Sequence, residues 1–425
     1  MLKKFSTVPW LSGCNIYEVN LRQYSQAGSF NAFSESLPRL KAMGVQLIWL
    51  MPVTPISLLK RQGSLGSYYA CSSYVRTNPE FGHAGDFGTL VQTAHACGIK
   101  VIIDWVANHT GWDHEWTSLH PEWYQQDAAG NFTERNGWKD VIDLNYANTE
   151  MRQAMISAMR YWVEAFDIDG FRCDMAHLVP LDFWEQAREA CDTIKPLVWL
   201  AETETPSYHD VFDISYAWDW MHLTEKYARN EVTLADIRNT LHTYTSAYPP
   251  GSWKMYFTSN HDENSWNGTE YEKYGKSARA WAVFTATWTG GIPLVYSGQE
   301  SPNTHRLAFF DKDPIQWNEP LQLDVFYRTL LQWRSKSPAI REGETFLLPS
   351  ENDDKLMAYL RKKDEAVVLV LLNVSGQDRI KIKVDHPWIR GDFRNLFSGM
   401  VFPMNGPQTF ELQAGEFFVY VRESL

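Results

Sequence analysis

The sequence predicts an α/β protein: a (β/α)8 TIM barrel with a short excursion after strand 3 and a C-terminal all-β sandwich domain. Three observations point there. Short apolar runs alternate with longer helical stretches over roughly the first 300 residues. Eight such runs occur, which favours a closed barrel over an open doubly wound sheet. Beyond residue 341 the runs are separated by turns alone, the pattern of an all-β unit.

The strand candidates are residues 15–20 (NIYEVN), 45–51 (VQLIWLM), 100–104 (KVIID), 168–172 (IDGFR), 197–202 (LVWLAE), 211–215 (VFDIS), 254–259 (KMYFTS) and 292–297 (IPLVYS). Continuous apolar runs of this kind suit a parallel sheet covered on both faces. Among the helices, 149–166 is the clearest. Met151, Met155, Met159, Trp162 and Phe166 fall on one face behind a cap at Asn148 or Thr149. The gap from residue 104 to 168 is too long for one helix, and residues 111–143 are rich in Trp, His, Asn and Gly. We read that part as an excursion over the C-terminal face of the barrel. The expected domains are a barrel over 1–340, with the excursion at 110–145, and a β domain over 341–425. Its strands are expected at 356–361, 366–374, 380–384, 409–412 and 417–421.

Composition narrows the function. Of 425 residues, 44% are hydrophobic and 21% charged, ordinary for a chain with a sizeable core. The formal charge of −12 argues against nucleic acid or an anionic membrane as a partner. No run approaches the roughly 18 to 20 apolar residues of a membrane span. The first residues, MLKKFSTVPWLSG, hold no apolar stretch typical of a signal peptide. Five scattered cysteines without a C-x-x-C pair read as reduced thiols. A cytoplasmic protein is the expectation. The 19 Trp, 20 Tyr and 22 Phe serve the core first, although flat rings also suit sugar faces.

Five segments concentrate charge and imidazole just past the predicted strand ends, the edge that builds the site in a barrel. They are DWVANH (Asp104, Asn108, His109), GFRCDMAH (Arg172, Asp174, His177), LAE (Glu202), SNHDE (Asn260, His261, Asp262, Glu263) and VIDLN (Asp143 to Asn145). Residues two apart on a strand face one way, so Arg172 and Asp174 are both expected at the barrel mouth. The guanidinium is expected to lower the pKa of Asp174 and keep it nucleophilic. Glu202, near Asp174 and Asp262, is expected to be raised and to act as general acid. Such a pair cleaves glycosidic bonds with retention when about 5 to 5.5 Å apart. Singly, each segment has a bland reading: Arg-x-Asp as a structural ion pair, a strand-end Glu as solvated, His109 and His114 as backbone partners. Five in order are not accidental.

Together these segments resemble the ordered motifs of the α-amylase family, glycoside hydrolase family 13. The resemblance covers roughly residues 10 to 310 and includes GSYYACSSYVRTNPEFG after the second strand and IPLVYSGQE at the eighth. It implies Asp174 as nucleophile, Glu202 as acid/base and Asp262 as a ligand of the sugar 2- and 3-hydroxyls. It further implies Arg172 as orienter of Asp174, His109 and His261 as hydroxyl partners, and Tyr69, with Tyr68 as alternative, as the stacking ring. The chain departs from the pattern at Ala176, where many starch-cleaving members carry lysine. His177 also follows Asp174 by three positions rather than four. Calcium-dependent members hold the ion between the motif asparagine, here Asn108, and acidic groups of the excursion. No full oxygen set is identifiable here, so no cofactor is expected to be required, calcium and other metals included.

The expected function is retaining hydrolysis of α-glucosidic bonds, foremost α-1,4, in starch-type oligo- or polysaccharides. Its alternatives are an α-glucan transglycosylase, a trehalose- or sucrose-directed enzyme, and an inactive carbohydrate-binding barrel. A metal-dependent hydrolase would need clustered strand-end ligands, and the chain has no H-x-H or H-x-x-x-H pair. Oligomeric state is not legible.

Overall fold

The computed structural model describes residues 4–423. Eight parallel strands close into one barrel: β1 (Ile16–Val19), β2 (Leu47–Leu50), β3 (Lys100–Trp105), β4 (Gly170–Cys173), β5 (Val198–Ala201), β6 (Ile214–Tyr216), β7 (Trp253–Tyr256) and β8 (Gly291–Tyr296), which returns to pair with β1. Nearly every strand residue is buried, because helices such as Ala84–Ala96, Thr149–Phe166 and Leu181–Asp192 cover the outside. That two-sided burial is why the strands read as continuous apolar runs. The 149–166 helix lies where the sequence places it. Asn148 caps it, its side chain accepting from the Glu150 and Met151 N–H groups.

Two local differences have physical causes. The sixth strand lies at 214–216 rather than 211–215. Residues 206–210 form a 3-10 turn, and Asp213 turns inward to accept from Arg188 and from the Trp199 N–H. The apolar run therefore begins before the strand does. Beyond the barrel, Glu344–Leu347, Arg390–Asn395 and Val401–Asn405 are additional strands of a six-stranded antiparallel sheet. Their mostly exposed residues carry no apolar alternation, so nothing marks them in sequence. A separate two-stranded sheet, Ile380–Val384 with Gln408–Leu412, packs Ile380, Ile382, Val384 and Leu412 against the larger one.

Register builds the barrel mouth. Asp104 on β3 lies opposite Arg172 on β4, and Cys173 lies opposite Ala201 on β5. Asp174 and Glu202 therefore emerge side by side, one residue past those ends. A Cβ on Gly170 would meet the Val198 carbonyl oxygen at 2.0 Å, so only glycine lets β4 lie this close to β5. The excursion is tied down at its base, where His109–Gly111 pairs antiparallel with Val141–Asp143.

Candidate active site

Arg172 is the hub of the mouth and is fully buried. Its Nη1 donates to Asp104 Oδ1 at 2.9 Å and to Asp174 Oδ1 at 3.0 Å. Its Nη2 stands 2.7 Å from Glu202 Oε2, and its Nε donates to the Tyr216 hydroxyl at 3.0 Å. Trp49 flanks the guanidinium at 4.9 Å, an arrangement a lysine would not reproduce. The Met175 N–H donates to Glu202 Oε2 at 2.9 Å. Met175 does so from a left-handed backbone, φ 39°, costly for a residue other than glycine and typical of functional sites.

A second chain of hydrogen bonds crosses the mouth. His261 Nδ1 lies 2.5 Å from Glu18 Oε1, and its Nε2 lies 2.7 Å from the Tyr69 hydroxyl. Tyr69 in turn donates to Asp104 Oδ2 at 3.1 Å. All three contacts are satisfied when His261 carries both ring protons. Burial opposes that charge, but Asp262 and Glu18 raise the His261 pKa to about 9. Asp262 sits 3.4 Å from His261 Nε2, deep in the mouth but with its carboxylate 38% open to the cavity. His109 differs: burial depresses its pKa to about 4, leaving it neutral, and its ring packs on Trp138 at 5.2 Å.

One electrostatic expectation is reversed. Arg172 does pull the Asp174 pKa down, yet burial, foremost, and the neighbouring Glu202, Asp104 and Asp262 carboxylates drive it well above the ordinary range. Burial likewise raises Asp262, with Glu202 adding to it, and Asp104. One guanidinium and one imidazolium do not compensate this many buried carboxylates.

Asp174, Glu202, Asp262, His109 and Tyr69 line one cavity of about 280 Å³, with Trp138, Phe309 and Phe310 among its other walls. Arg172 and His261 lie directly behind it. The structure separates the two tyrosines: Tyr69 faces the cavity and stacks on His261 at 5.4 Å, while Tyr68 is buried and bonded to Asn20. His114, five residues after His109, caps the 115–119 helix through the Trp116 N–H. Sequence reasoning passed over Glu18, Tyr216 and Trp49. Glu18 had a signal, a lone carboxylate inside the otherwise apolar first strand; Trp138, Phe309 and Phe310 lie in the excursion and in the loop after the eighth strand, the segments expected to set substrate choice.

Asn108 donates its amide nitrogen to His109 Nδ1 at 3.1 Å, which leaves its Oδ1 free, and Asp143 accepts from Arg135 Nε at 2.8 Å through Oδ2 alone. Among the described residues no group of three or more His, Cys, Asp or Glu is placed to hold a metal ion.

The sequence matches the family model of the alpha amylase catalytic domain over residues 18–122 and 118–373, and that of the maltogenic amylase C-terminal domain over 345–419. It is 24% identical to alpha-amylase MalA of Haloarcula japonica, over 88% of this chain and 57% of that protein. It is 24% identical to the maltogenic alpha-amylase of Bacillus acidopullulyticus, over 92% of this chain and 70% of that one. The chain thus spans only part of these relatives' length. Among solved structures, the maltogenic alpha-amylase AmyB of Thermotoga neapolitana superposes with a TM-score of 0.89 at 32% identity, over 97% of this chain and 99% of that one. With the fold, the mouth and these matches in agreement, the chain belongs to the α-amylase family, glycoside hydrolase family 13.

Proposed function

We propose that this protein hydrolyses α-1,4-glucosidic bonds in starch-type oligo- or polysaccharides with retention, through a glycosyl-aspartyl intermediate. The observation that carries this is the bridging of Asp174 and Glu202 by the two terminal nitrogens of Arg172, opposite Asp262 in the same cavity. Two carboxyls bridged by one guanidinium suit the short spacing of retaining enzymes, about 5 to 5.5 Å, rather than the wider inverting one.

Glu202 gives its proton to the glycosidic oxygen while an Asp174 oxygen attacks C1, and the bond to the leaving sugar breaks. The charge that grows on the glucosyl ring lies beside Asp262, which also accepts from its hydroxyls. Neutral His109 donates to the same ring, and Tyr69, held from behind by the cationic His261, stacks against it. Glu202, now a carboxylate, then takes a proton from water, and that water's oxygen replaces Asp174 at C1. A sugar hydroxyl in place of water turns the same cycle into transfer.

No calcium is needed in this scheme, because Arg135 already neutralises Asp143. A reducing, cytoplasmic setting fits the five free cysteines, of which four are buried. Among the described residues no helix is long and apolar enough to cross a membrane. Proton NMR of fresh enzyme with maltoheptaose tests the reading. An initial α-anomeric product, lost in Asp174→Asn, supports it; an initial β-anomer, or unchanged turnover in the variant, sinks it.

A further inference from the structure

A general acid must protonate the departing oxygen, so the leaving part of a glucan lies on the Glu202 side of the attacked carbon. There Glu202 and Met175 also line a second hollow, of about 520 Å³, with Glu204, Trp218 and Asp219 among its other walls. Neither Asp174 nor Asp262 lines it. Two segments build it: the loop that carries Glu202, and the first turn of the helix Trp218–Ala228.

One carboxylate joins these two segments. The helix begins after Ala217, whose methyl group cannot cap it. Glu204, two residues past the acid, caps it from outside. Its Oε2 accepts from the Asp219 N–H at 2.7 Å, where an anion also meets the positive end of the helix dipole. The Tyr244 hydroxyl donates to Glu204 Oε1 and accepts from the Trp220 N–H at 3.2 Å. The Tyr248 hydroxyl donates to the Glu204 carbonyl. Behind them stands Lys254, on β7 and buried. Its Nζ lies 3.7 Å from Glu204 Oε1 and donates to the Tyr216 carbonyl at 3.0 Å. The same ammonium sits over the Tyr248 and Tyr244 rings at 3.9 and 4.3 Å. Among the described residues Glu204 is its one ion-pair partner. Burial lowers the Lys254 pKa and raises that of Glu204, so each charge depends on the other rather than on solvent.

From this geometry we propose that Glu204 and Lys254 are a positioning pair for the leaving part of the substrate. They fix the Glu202 loop against the helix that presents Trp218, and so hold the wall on which that part is placed. The proposal rests on the hydrolytic reading above. The attacked side is held by other means. Tyr216 pairs with Met255 on the neighbouring strand, its hydroxyl accepts from Arg172 Nε, and Trp218 stacks on its ring at 5.3 Å. Lys254 itself lines neither hollow, so it acts through Glu204 and not on the sugar.

The test compares maltoheptaose with α-maltosyl fluoride, whose leaving group is fluoride and places no sugar in the second hollow. In Lys254→Met the ratio of kcat/KM for maltoheptaose to that for the fluoride is expected to fall by about tenfold. A higher KM for maltoheptaose should carry most of that fall. Both constants come from one preparation, so a misfolded fraction cancels in the ratio. Tyr244→Phe removes only the hydroxyl on Glu204 and is expected to lower the ratio in the same direction by a smaller factor. It decides the matter if the methionine variant does not fold. An unchanged ratio, with both substrates slowed equally or neither slowed, makes the pair merely structural and overturns the proposal alone. Wild-type enzyme inert toward maltoheptaose overturns the hydrolytic reading and this inference with it.

Discussion

Two aspartates bracket strand β4, and their surroundings are opposite. Asp169, at the base, is met by cations and donors: His95 Nε2 at 2.7 Å, Lys100 and Lys195 both at 3.1 Å, and the Val101 N–H at 2.9 Å. Burial works against its charge, but these partners win and lower its pKa. Asp174, at the mouth, shares one guanidinium with two other carboxylates and is raised. One strand thus carries a charge that is compensated and a charge that is not. The bottom face of a barrel serves stability and the top face serves chemistry, and here the contrast is legible within a few residues.

The comparison breaks most sharply at Asp174→Asn. We expect hydrolysis to fall by about 10⁴-fold or more, as when other nucleophiles are removed, measured as maltooligosaccharide turnover. The same variant is expected to be more stable at pH 7 by about 1 kcal/mol, because it relieves carboxylate crowding. An equally large loss of stability would show that Asp174 is compensated after all.

Asp169→Asn should do the reverse. It is expected to cost about 3 kcal/mol in urea unfolding, since it leaves buried cationic partners unmatched, while the folded fraction keeps its turnover. Acid sharpens the pair. A raised carboxyl contributes stability below its unfolded pKa of about 3.9 and loses it as pH rises through its folded value; a lowered one contributes above about 3.9 and loses it as pH falls. The gain from Asp174→Asn should therefore vanish by about pH 4. The penalty of Asp169→Asn should persist at pH 5 and fade only at lower pH, both read as melting temperatures.

His261 sets the alkaline side. Its imidazolium, held to about 9, is expected to support kcat/KM up to that pH and to release it above, as the free enzyme titrates. A flat profile through pH 10 would remove the charge from the site. The smallest expected effect is that of metal removal. Dialysis against EDTA should leave activity and melting temperature unchanged, because Asp143 is paired with Arg135; a drop restored by calcium would refute that.

Much of this was legible before any coordinates. The barrel followed from eight apolar runs, and the candidate residues from five charged segments at strand ends, because strand period and barrel topology leave few other places for such groups. Where reading failed, a longer-range fact intervened. The 211–215 run ends in a strand only after Asp213 has turned in to Arg188. The exposed strands 390–395 and 401–405 exist because partners supply their hydrogen bonds, not because their side chains alternate.

The sequence by itself determined the family, the eightfold alternation and the placing of Asp174, Glu202 and Asp262 just past strand ends, since these depend on local period and on residues close in the chain. Tertiary structure decided the rest. It put Tyr69 on the cavity and Tyr68 behind it, gave His261 its partner in Glu18, and raised Asp174 where a neighbouring arginine alone would lower it. A pKa sums over every charge within a few ångströms, and those charges come from strands far apart in sequence. The cavity wall that Gln62, Trp138 and Phe310 share is likewise a meeting of three loops, which no single segment encodes.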